Sequence, residues 1–179
     1  MQRTLLKYES IHQVDGSSEL SVVNLVDENR QRMLSVVCDA DMTSQFLMRF
    51  DNPELCKTLL PEVLLRMLPS DYELMIVGIF DGQYQVLLMD TVKGESVRLR
   101  MSDAVLLSII SDIPLYVENN LLKVQSVPYN ENVKGVAIPI NTMDMERLKI
   151  ALDKAIAEEN YELASHLRDE IERRKNIAQ

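Results

Sequence analysis

Two strand-like runs joined by Asp81-Gly82 constrain the fold of this chain more than any other feature. The runs, YELMIVGIF and QYQVLLMD, are rich in β-branched, aromatic and long apolar residues. Glycine supplies the positive φ that a two-residue hairpin turn requires. A third run, ESVRLRM, follows after a short polar loop. The sequence therefore predicts an antiparallel meander over residues 72–101.

Other segments add strands and helices to this meander. ELSVVNLVD and MLSVVC flank a short polar loop and predict a second hairpin. A short helix is expected after Asp41, and a second one opens at Pro53 and is kinked or restarted at Pro61. Ser102-Asp103 is expected to cap a third helix, and a strand and a short apolar turn follow it. This order predicts the α+β class, with a mixed or antiparallel sheet covered by helices on one face.

The hydrophobic periodicity becomes helical after residue 142 and predicts an α-helical hairpin. Its two apolar stripes are Leu148, Leu152, Ala155 and Ile156, then Tyr161, Ala164, His166, Leu167 and Ile171. Acid-before-base spacing predicts the surface ion pairs Asp169–Arg173 and Glu170–Arg174. Two short helices bury too little surface to be stable alone, so the main domain, a twin hairpin or another protein must cover them.

These patterns divide the chain into an α+β domain over 1–124, a linker over 125–142 and a helical hairpin over 143–179. The linker is rich in proline, glycine and asparagine and has no clear period.

Charge and composition exclude several function classes. The 179 residues include 28 acidic and 19 basic side chains, a formal net charge of -9. This balance disfavours tight non-specific binding to nucleic acid or to anionic membranes. Cys38 and Cys56 have no CxxC partner and lie among apolar neighbours, so they are expected in the core. The chain shows no apolar leader or membrane-length run, which predicts a cytoplasmic protein that does not enter the membrane.

The second predicted helix carries a fairly specific motif, Tyr161-Glu162-x-Ala164-x-x-Leu167-Arg168-Asp169-x-Ile171. With the upstream apolar residues, it resembles the UVR domain, the hairpin named after the UvrB and UvrC excision-repair proteins. The resemblance implies association with a similar hairpin or with another protein. The residues it assigns to partner binding are Leu148, Leu152, Tyr161, Ala164, Leu167, Arg168 and Ile171. A helical tail packed on its own domain is the alternative.

Three motifs lie in the predicted α+β domain: Phe80-Asp81-Gly82-x-Tyr84, Arg100-x-Ser102-Asp103-Ala104-x-x-Leu107 and Ile113-Pro114-Leu115-x-Val117-Glu118. Through them, residues 18–124 resemble the bacterial and plant bifunctional nuclease (BFN) domain. The resemblance implies an α+β fold, a homo-oligomer and hydrolysis of RNA and DNA. The chain departs from the family where Cys38-Asp39-Ala40-Asp41-Met42 replaces an Ile-Gly-x-x-Glu-Ala segment.

Phosphodiester hydrolysis needs a metal held by carboxylates, or a base with a cation that stabilises developing charge. The candidate catalytic residues are Arg100, Ser102 and Asp103. Asp39 and Asp41 are candidate ligands for Mg²⁺ or Mn²⁺, although an exposed acidic loop would look the same. The predicted function is RNA or DNA hydrolysis with a protein-interaction hairpin. The alternative is a non-catalytic oligomeric adaptor.

Overall fold

A computed structural model describes residues 2–14, 19–68, 71–131 and 140–177, and its centre is one eight-stranded mixed sheet. The strands are β1 (Arg3–Gln13), β2 (Leu20–Asp27), β3 (Arg32–Asp39), β4 (Tyr72–Phe80), β5 (Gln83–Asp90), β6 (Ser96–Leu99), β7 (Leu115–Glu118) and β8 (Val127–Pro128). Their order across the sheet is β6-β5-β4-β7-β1-β2-β3-β8.

Seven α-helices and one short 3₁₀-helix are described around this sheet. The α-helices are α1 (Ala40–Asp51), α2 (Pro53–Cys56), α3 (Leu60–Met67), α4 (Met101–Ile110), α5 (Asn119–Gln125), α6 (Met145–Ala157) and α7 (Tyr161–Ile177), and the 3₁₀-helix is Ile140–Thr142. The sheet, its helices and the C-terminal helix pair confirm the predicted α+β class.

The predicted meander forms as β4, β5 and β6. Asp81 and Gly82 have φ angles of 49° and 72°, the left-handed values that a tight hairpin needs. Both strand pairs of the meander are antiparallel. The second predicted hairpin is also confirmed, because β2 pairs with β3 in antiparallel register.

Strand β1 is a central strand that the sequence patterns did not predict. It pairs antiparallel with β2 on one side and with β7 on the other. Polar residues alternate irregularly with its apolar ones, and the β-bulge between Tyr8 and Ser10 breaks the period of two. The one parallel pair among the described strands is β4 with β7, which makes the sheet mixed.

The core lies between this sheet and helices α1 and α4. Phe46 of α1 and Val105 of α4 are fully buried in the same cluster as Leu25, Leu74 and Leu115 of the sheet. Cys38 belongs to this cluster and Cys56 is buried beside α1, so both cysteines are core residues as expected. Burial, and then the charge of Asp39, raises the pKa of the Cys38 thiol to about 12. That thiol is therefore protonated and unreactive at neutral pH.

The prolines act as the sequence predicts, while two local predictions are wrong. Pro53 opens α2, and the helix restarts as α3 with Pro61 in its first turn. The predicted apolar turn at residues 120–122 is part of helix α5, because the Glu118 side chain accepts a hydrogen bond from the Leu121 amide and caps it. The helix after β6 begins at Met101, before the predicted cap.

Part of the predicted linker joins the sheet. Strand β8 pairs with the end of β3, and the Tyr129 amide donates to the Gln31 carbonyl over 2.8 Å. Residues 132–139 of the same segment lie outside the described residues. The division into domains at 124 and 142 remains a prediction. In the described part of the chain, no helix is long and apolar enough to cross a membrane.

Candidate functional site

Arg100 and Asp103 form a two-bond ion pair at the junction of β6 and α4. The Arg100 Nε donates to Asp103 Oδ2 over 2.7 Å, and its Nη2 donates to Oδ1 over 3.1 Å. The Arg100 side chain is 72% exposed, so its guanidinium also faces solvent. An exposed, rigid guanidinium is suited to hydrogen-bond a phosphate group.

The pair replaces the helix cap that the sequence predicted. Arg100 occupies the N-cap position of α4, and no described side chain caps this helix end. Ser102 and Asp103 lie inside the first turn instead, where the Asp103 carboxylate is engaged by Arg100. The predicted cap is wrong because a bidentate arginine ion pair competes for the same carboxylate oxygens. The first-turn amides of α4 therefore lack a side-chain cap.

Asp39, from a second segment of the chain, adds its charge to that of the pair. It ends β3 and caps α1, with its Oδ1 accepting the Met42 amide over 2.7 Å. The pKa of Arg100 is raised above its ordinary value, chiefly by the hydrogen bond and charge of Asp103 and also by the charge of Asp39. The charge of Asp39 thus acts on the Arg100–Asp103 pair from a distant segment of the chain, and we call these three residues the Arg100 cluster.

Asp39 and Asp41 differ in their surroundings. Both are exposed, and Asp41 lies in the first turn of α1, where its charge favours the positive end of the helix dipole. Across the described residues, no group of three or more histidine, cysteine or acidic side chains is arranged to hold a metal ion. Asp39, Arg100 and Asp103 combine two carboxylates with one guanidinium.

Helices α6 and α7 form an antiparallel hairpin with its own small core. Asp144 caps α6, and Asn160 Oδ1 accepts the Leu163 amide at the start of α7. Glu159, with a φ of 56°, reverses the chain between the two helices. The buried residues of this core are Ile140, Leu148, Ala155, Ala164, Leu167 and Ile171.

Residues 145–177 match the family model of the UvrB/uvrC motif, UVR. The matched range has the same ends as the helix pair α6–α7. The match confirms the predicted resemblance for the hairpin and supports a protein- or DNA-interaction role for it. No curated protein matches the chain.

Most residues that the sequence assigns to partner binding are buried in the core of the UVR hairpin. Leu148, Ala164, Leu167 and Ile171 are buried against one another, and Leu152 packs on them. The apolar stripes of α6 and α7 thus pack against each other, and Ile140, in the segment before α6, belongs to the same buried cluster.

The outer surface of the UVR hairpin differs from the predicted stripe. Tyr161 is 69% exposed and Arg168 is exposed, and Ile156, expected on the buried face, is also exposed. Ile150 is a further exposed apolar residue that the periodicity did not mark, because it lies on the side of α6 opposite Leu148. These four side chains are available to a partner.

A network of ion pairs and hydrogen bonds fixes the base of the UVR hairpin. Glu170 accepts from Arg173 and Arg174, and Arg174 also donates to the carbonyls of Ile140, Asn141 and Met143. The predicted Glu170–Arg174 pair is confirmed. The predicted Asp169–Arg173 pair is wrong, because Arg173 bonds Glu170 one turn away and Asp169 faces Arg168 at 3.7 Å.

A side-chain hydrogen bond joins this base to the sheet. The Asn141 Nδ2 donates to the Gly82 carbonyl over 2.9 Å, at the tip of the β4–β5 hairpin. A methyl group at Gly82 would lie 3.2 Å from the Asn141 carbonyl, and the positive φ of Gly82 already disfavours other residues. The Asp81-Gly82 turn therefore both closes the meander and receives the hairpin.

Proposed function

We propose that this chain is a BFN-type protein that hydrolyses RNA or DNA at the Arg100 cluster and binds a protein partner through its UVR hairpin. The proposal rests on one observation above all. The charge of Asp39 acts on Arg100, which pairs with Asp103, although Asp39 is far from both in sequence. The predicted domains, 1–124 and 143–179, would divide these two tasks between them.

The cluster has the groups that phosphodiester cleavage requires. The exposed guanidinium of Arg100 can bind a phosphate oxygen and stabilise the charge that develops on it. The backbone amides at the start of α4 follow Arg100 directly, and the N-terminal end of a helix favours anions. When a phosphate engages Arg100, the Asp103 carboxylate is released to accept a proton from the attacking water, and the Ser102 hydroxyl can orient the substrate.

Cleavage of labelled single-stranded RNA and DNA tests this proposal. We expect wild-type protein to cleave, and Asp103→Ala to reduce the rate about 100-fold or more, as for loss of a general base. Arg100→Lys keeps the charge but loses the two-bond geometry, so it should also be slow. Glu95→Ala removes an exposed carboxylate at the opposite end of β6 and is the matched control. Equal rates for all four folded proteins would refute the assignment.

Parallel reactions with Mg²⁺, Mn²⁺ or EDTA test the predicted metal ligands Asp39 and Asp41. Cleavage that survives EDTA would assign the chemistry to Arg100 and Asp103 without a divalent ion. Cleavage that needs the metal and is lost in Asp41→Ala would assign Asp41 as a ligand. Asp41 is the more specific probe, because Asp39 also caps α1.

A non-catalytic adaptor is the second candidate, and the outer surface of the UVR hairpin favours it. Ile156 and Tyr161 flank the turn between α6 and α7 and expose apolar surface beside many charges. Exposed aromatic and aliphatic side chains with a charged rim are typical of protein interfaces. Leu167 and Ile171 would be poor probes, because a charge at either buried position would unfold the hairpin.

Ile156→Glu with Tyr161→Ser tests the adaptor function. We expect a partner captured by the wild-type chain to be lost in this double variant. Lys154→Ala, in the same turn of α6, should retain it. Capture that is identical for all three proteins would exclude this surface as the docking site.

A further inference from the structure

A cavity of about 280 Å³ lies between the sheet and the UVR hairpin. Its wall on the side of the sheet is apolar and includes Ile79 of β4 with Leu121 and Val124 of α5. Its other wall consists mainly of polar residues of α7. The volume is just below the ~300–1,000 Å³ of pockets that hold drug-sized ligands, so it fits a small molecule. We call this space the junction cavity.

The polar wall of the junction cavity is one side of helix α7. His166, Asp169 and Arg173 line the cavity at intervals of three and four residues, which places them along the same side of the helix. Leu167 and Ile171 belong to a different side, which packs in the hairpin core. Helix α7 therefore sets charged groups opposite an aliphatic wall. A ligand with both a charged and an apolar part would complement the two walls.

Gln125 of α5 adds an amide that lacks a hydrogen-bond partner. The residue lines the junction cavity and is only 8% exposed. Its Oε1 is buried, and no group among the described residues donates a hydrogen bond to it. An unpaired buried acceptor costs free energy and is rare in native proteins. Because the terminal torsion of a glutamine side chain is soft, this oxygen can turn toward a donor in the cavity.

Two opposite charges at the junction cavity can bind further groups. The Asp169 carboxylate is 64% exposed and lies 3.7 Å from Arg168 Nε, which is too long for a hydrogen bond. The Arg173 Nε and Nη2 donate to Glu170, and a guanidinium has five N–H groups, so Nη1 is left to bind an anion. Asp169 and Arg173 are one helical turn apart, about 5–6 Å between Cβ atoms. That spacing suits a ligand whose two charged groups are attached to one carbon.

We propose that the junction cavity binds a free α-amino acid with an aliphatic side chain. The ammonium group of the ligand donates to Asp169 and Gln125, and its carboxylate accepts from Arg173. The aliphatic side chain packs against Leu121 and Ile79. Such a ligand contacts both α5 and α7, so its binding also fastens the UVR hairpin to the sheet.

Isothermal titration calorimetry of the full chain with L-leucine tests this site. For a ligand of about nine non-hydrogen atoms, we expect a dissociation constant of about 10 μM to 1 mM. Isopentylamine and 4-methylpentanoate keep the side chain of leucine, but each lacks one of its charged groups. Each should bind about 10-fold more weakly or worse. Glycine has no apolar part and should show no measurable binding.

Two variants separate the binding site from the stability of the fold. Gln125→Leu keeps the size of the side chain and removes the unpaired amide, so the unliganded variant should unfold in urea no earlier than wild type. It should nevertheless bind leucine about 10-fold more weakly. Asp169→Asn should weaken binding by a similar factor, because it removes the charge that the ammonium group needs. Asp153→Asn makes the same change at an exposed position of α6 outside the cavity and is the matched control.

Hydrogen exchange locates the bound ligand. Leucine should slow the exchange of amides in both α5 and α7, because the ligand contacts both helices. The same addition should leave exchange unchanged in Gln125→Leu at a leucine concentration that is half-saturating for wild type or lower.

Three results would overturn the proposal, and none of them depends on phosphodiester cleavage. The first is the absence of leucine binding to wild-type protein at about 10 mM. The second is isopentylamine or 4-methylpentanoate binding as tightly as leucine, because a single charge would then be sufficient. The third is leucine binding that both Gln125→Leu and Asp169→Asn leave unchanged, which would place the ligand elsewhere on the protein.

Discussion

Replacing Glu62 with alanine should destabilise the α+β domain by about 3 kcal/mol. Breaking a buried ion pair costs about 3–5 kcal/mol, because the remaining charge has no counterion. The Arg49 and Glu62 side chains are 4% and 13% exposed, and two hydrogen bonds of 2.6 and 3.1 Å join them. Arg49 keeps its bonds to the Gln45 carbonyl and side chain, so the lower end of that range applies.

Urea unfolding followed by circular dichroism, at one fixed protein concentration, measures this cost. Heating should show the same change as a fall in melting temperature of about 6–12 °C. Glu54→Ala is the matched control, because its 2.6 Å pair with Lys57 is exposed and should contribute less than about 1 kcal/mol.

A double variant separates the charge from the packing. Arg49→Met with Glu62→Leu removes both ions and should recover stability to within about 1 kcal/mol of wild type, since apolar residues often replace a buried pair without loss. A Glu62→Ala protein as stable as Glu54→Ala would refute the reasoning. It would mean that water reaches Arg49 and that α3 is not fixed by this pair.

Two further predictions concern the UVR hairpin. Leu167→Ala should lower the stability of the hairpin by about 2–5 kcal/mol, because Leu167 is fully buried. Hydrogen exchange should show that the amides of α6 and α7 lose protection together while those of the sheet keep it. Unchanged protection in α6 and α7 would contradict the hairpin core. Burial alone would raise the pKa of Glu170, but hydrogen bonds from Arg173 and Arg174 outweigh it and lower the pKa below 4.5. The stability that Glu170 contributes is thus present above pH 4.5 and lost as pH falls through the lower, folded-state pKa. Glu170→Gln should flatten this acid dependence, and an unaltered pH profile would contradict the network.

Local patterns predicted the parts of the fold whose signals are short in range. The Asp81-Gly82 turn needs left-handed backbone, and Pro53 and Pro61 fit only in a first helical turn, so each residue indicates its own structure. Strand β1 gave no such signal, because its bulge and mixed polarity hide the period of two. Its place between β7 and β2 depends on pairing with residues far along the chain.

For the candidate site as well, the sequence predicted the residues, while their arrangement depended on the tertiary structure. The sequence marked Asp39, Arg100 and Asp103 as chemically useful, but it did not show that the charge of Asp39 acts on the other two. It also assigned Asp103 to a helix cap because aspartate is a common N-cap residue, whereas Arg100 takes the N-cap position and the helix begins at Met101. The burial of Leu148 and Leu167 inside the hairpin likewise required the two helices to be seen packed.

The sequence by itself determined the α+β class, the UVR motif of the hairpin and most turns, because these depend on residue type and spacing within a few positions. Only the tertiary structure decided that the charge of Asp39 acts on the Arg100–Asp103 pair and that Leu60, Leu64 and Met67 of α3 are exposed. The physical reason is that both arrangements depend on contacts between distant segments. The Arg49–Glu62 ion pair holds the polar side of α3 against α1, and no periodicity within α3 records that partner.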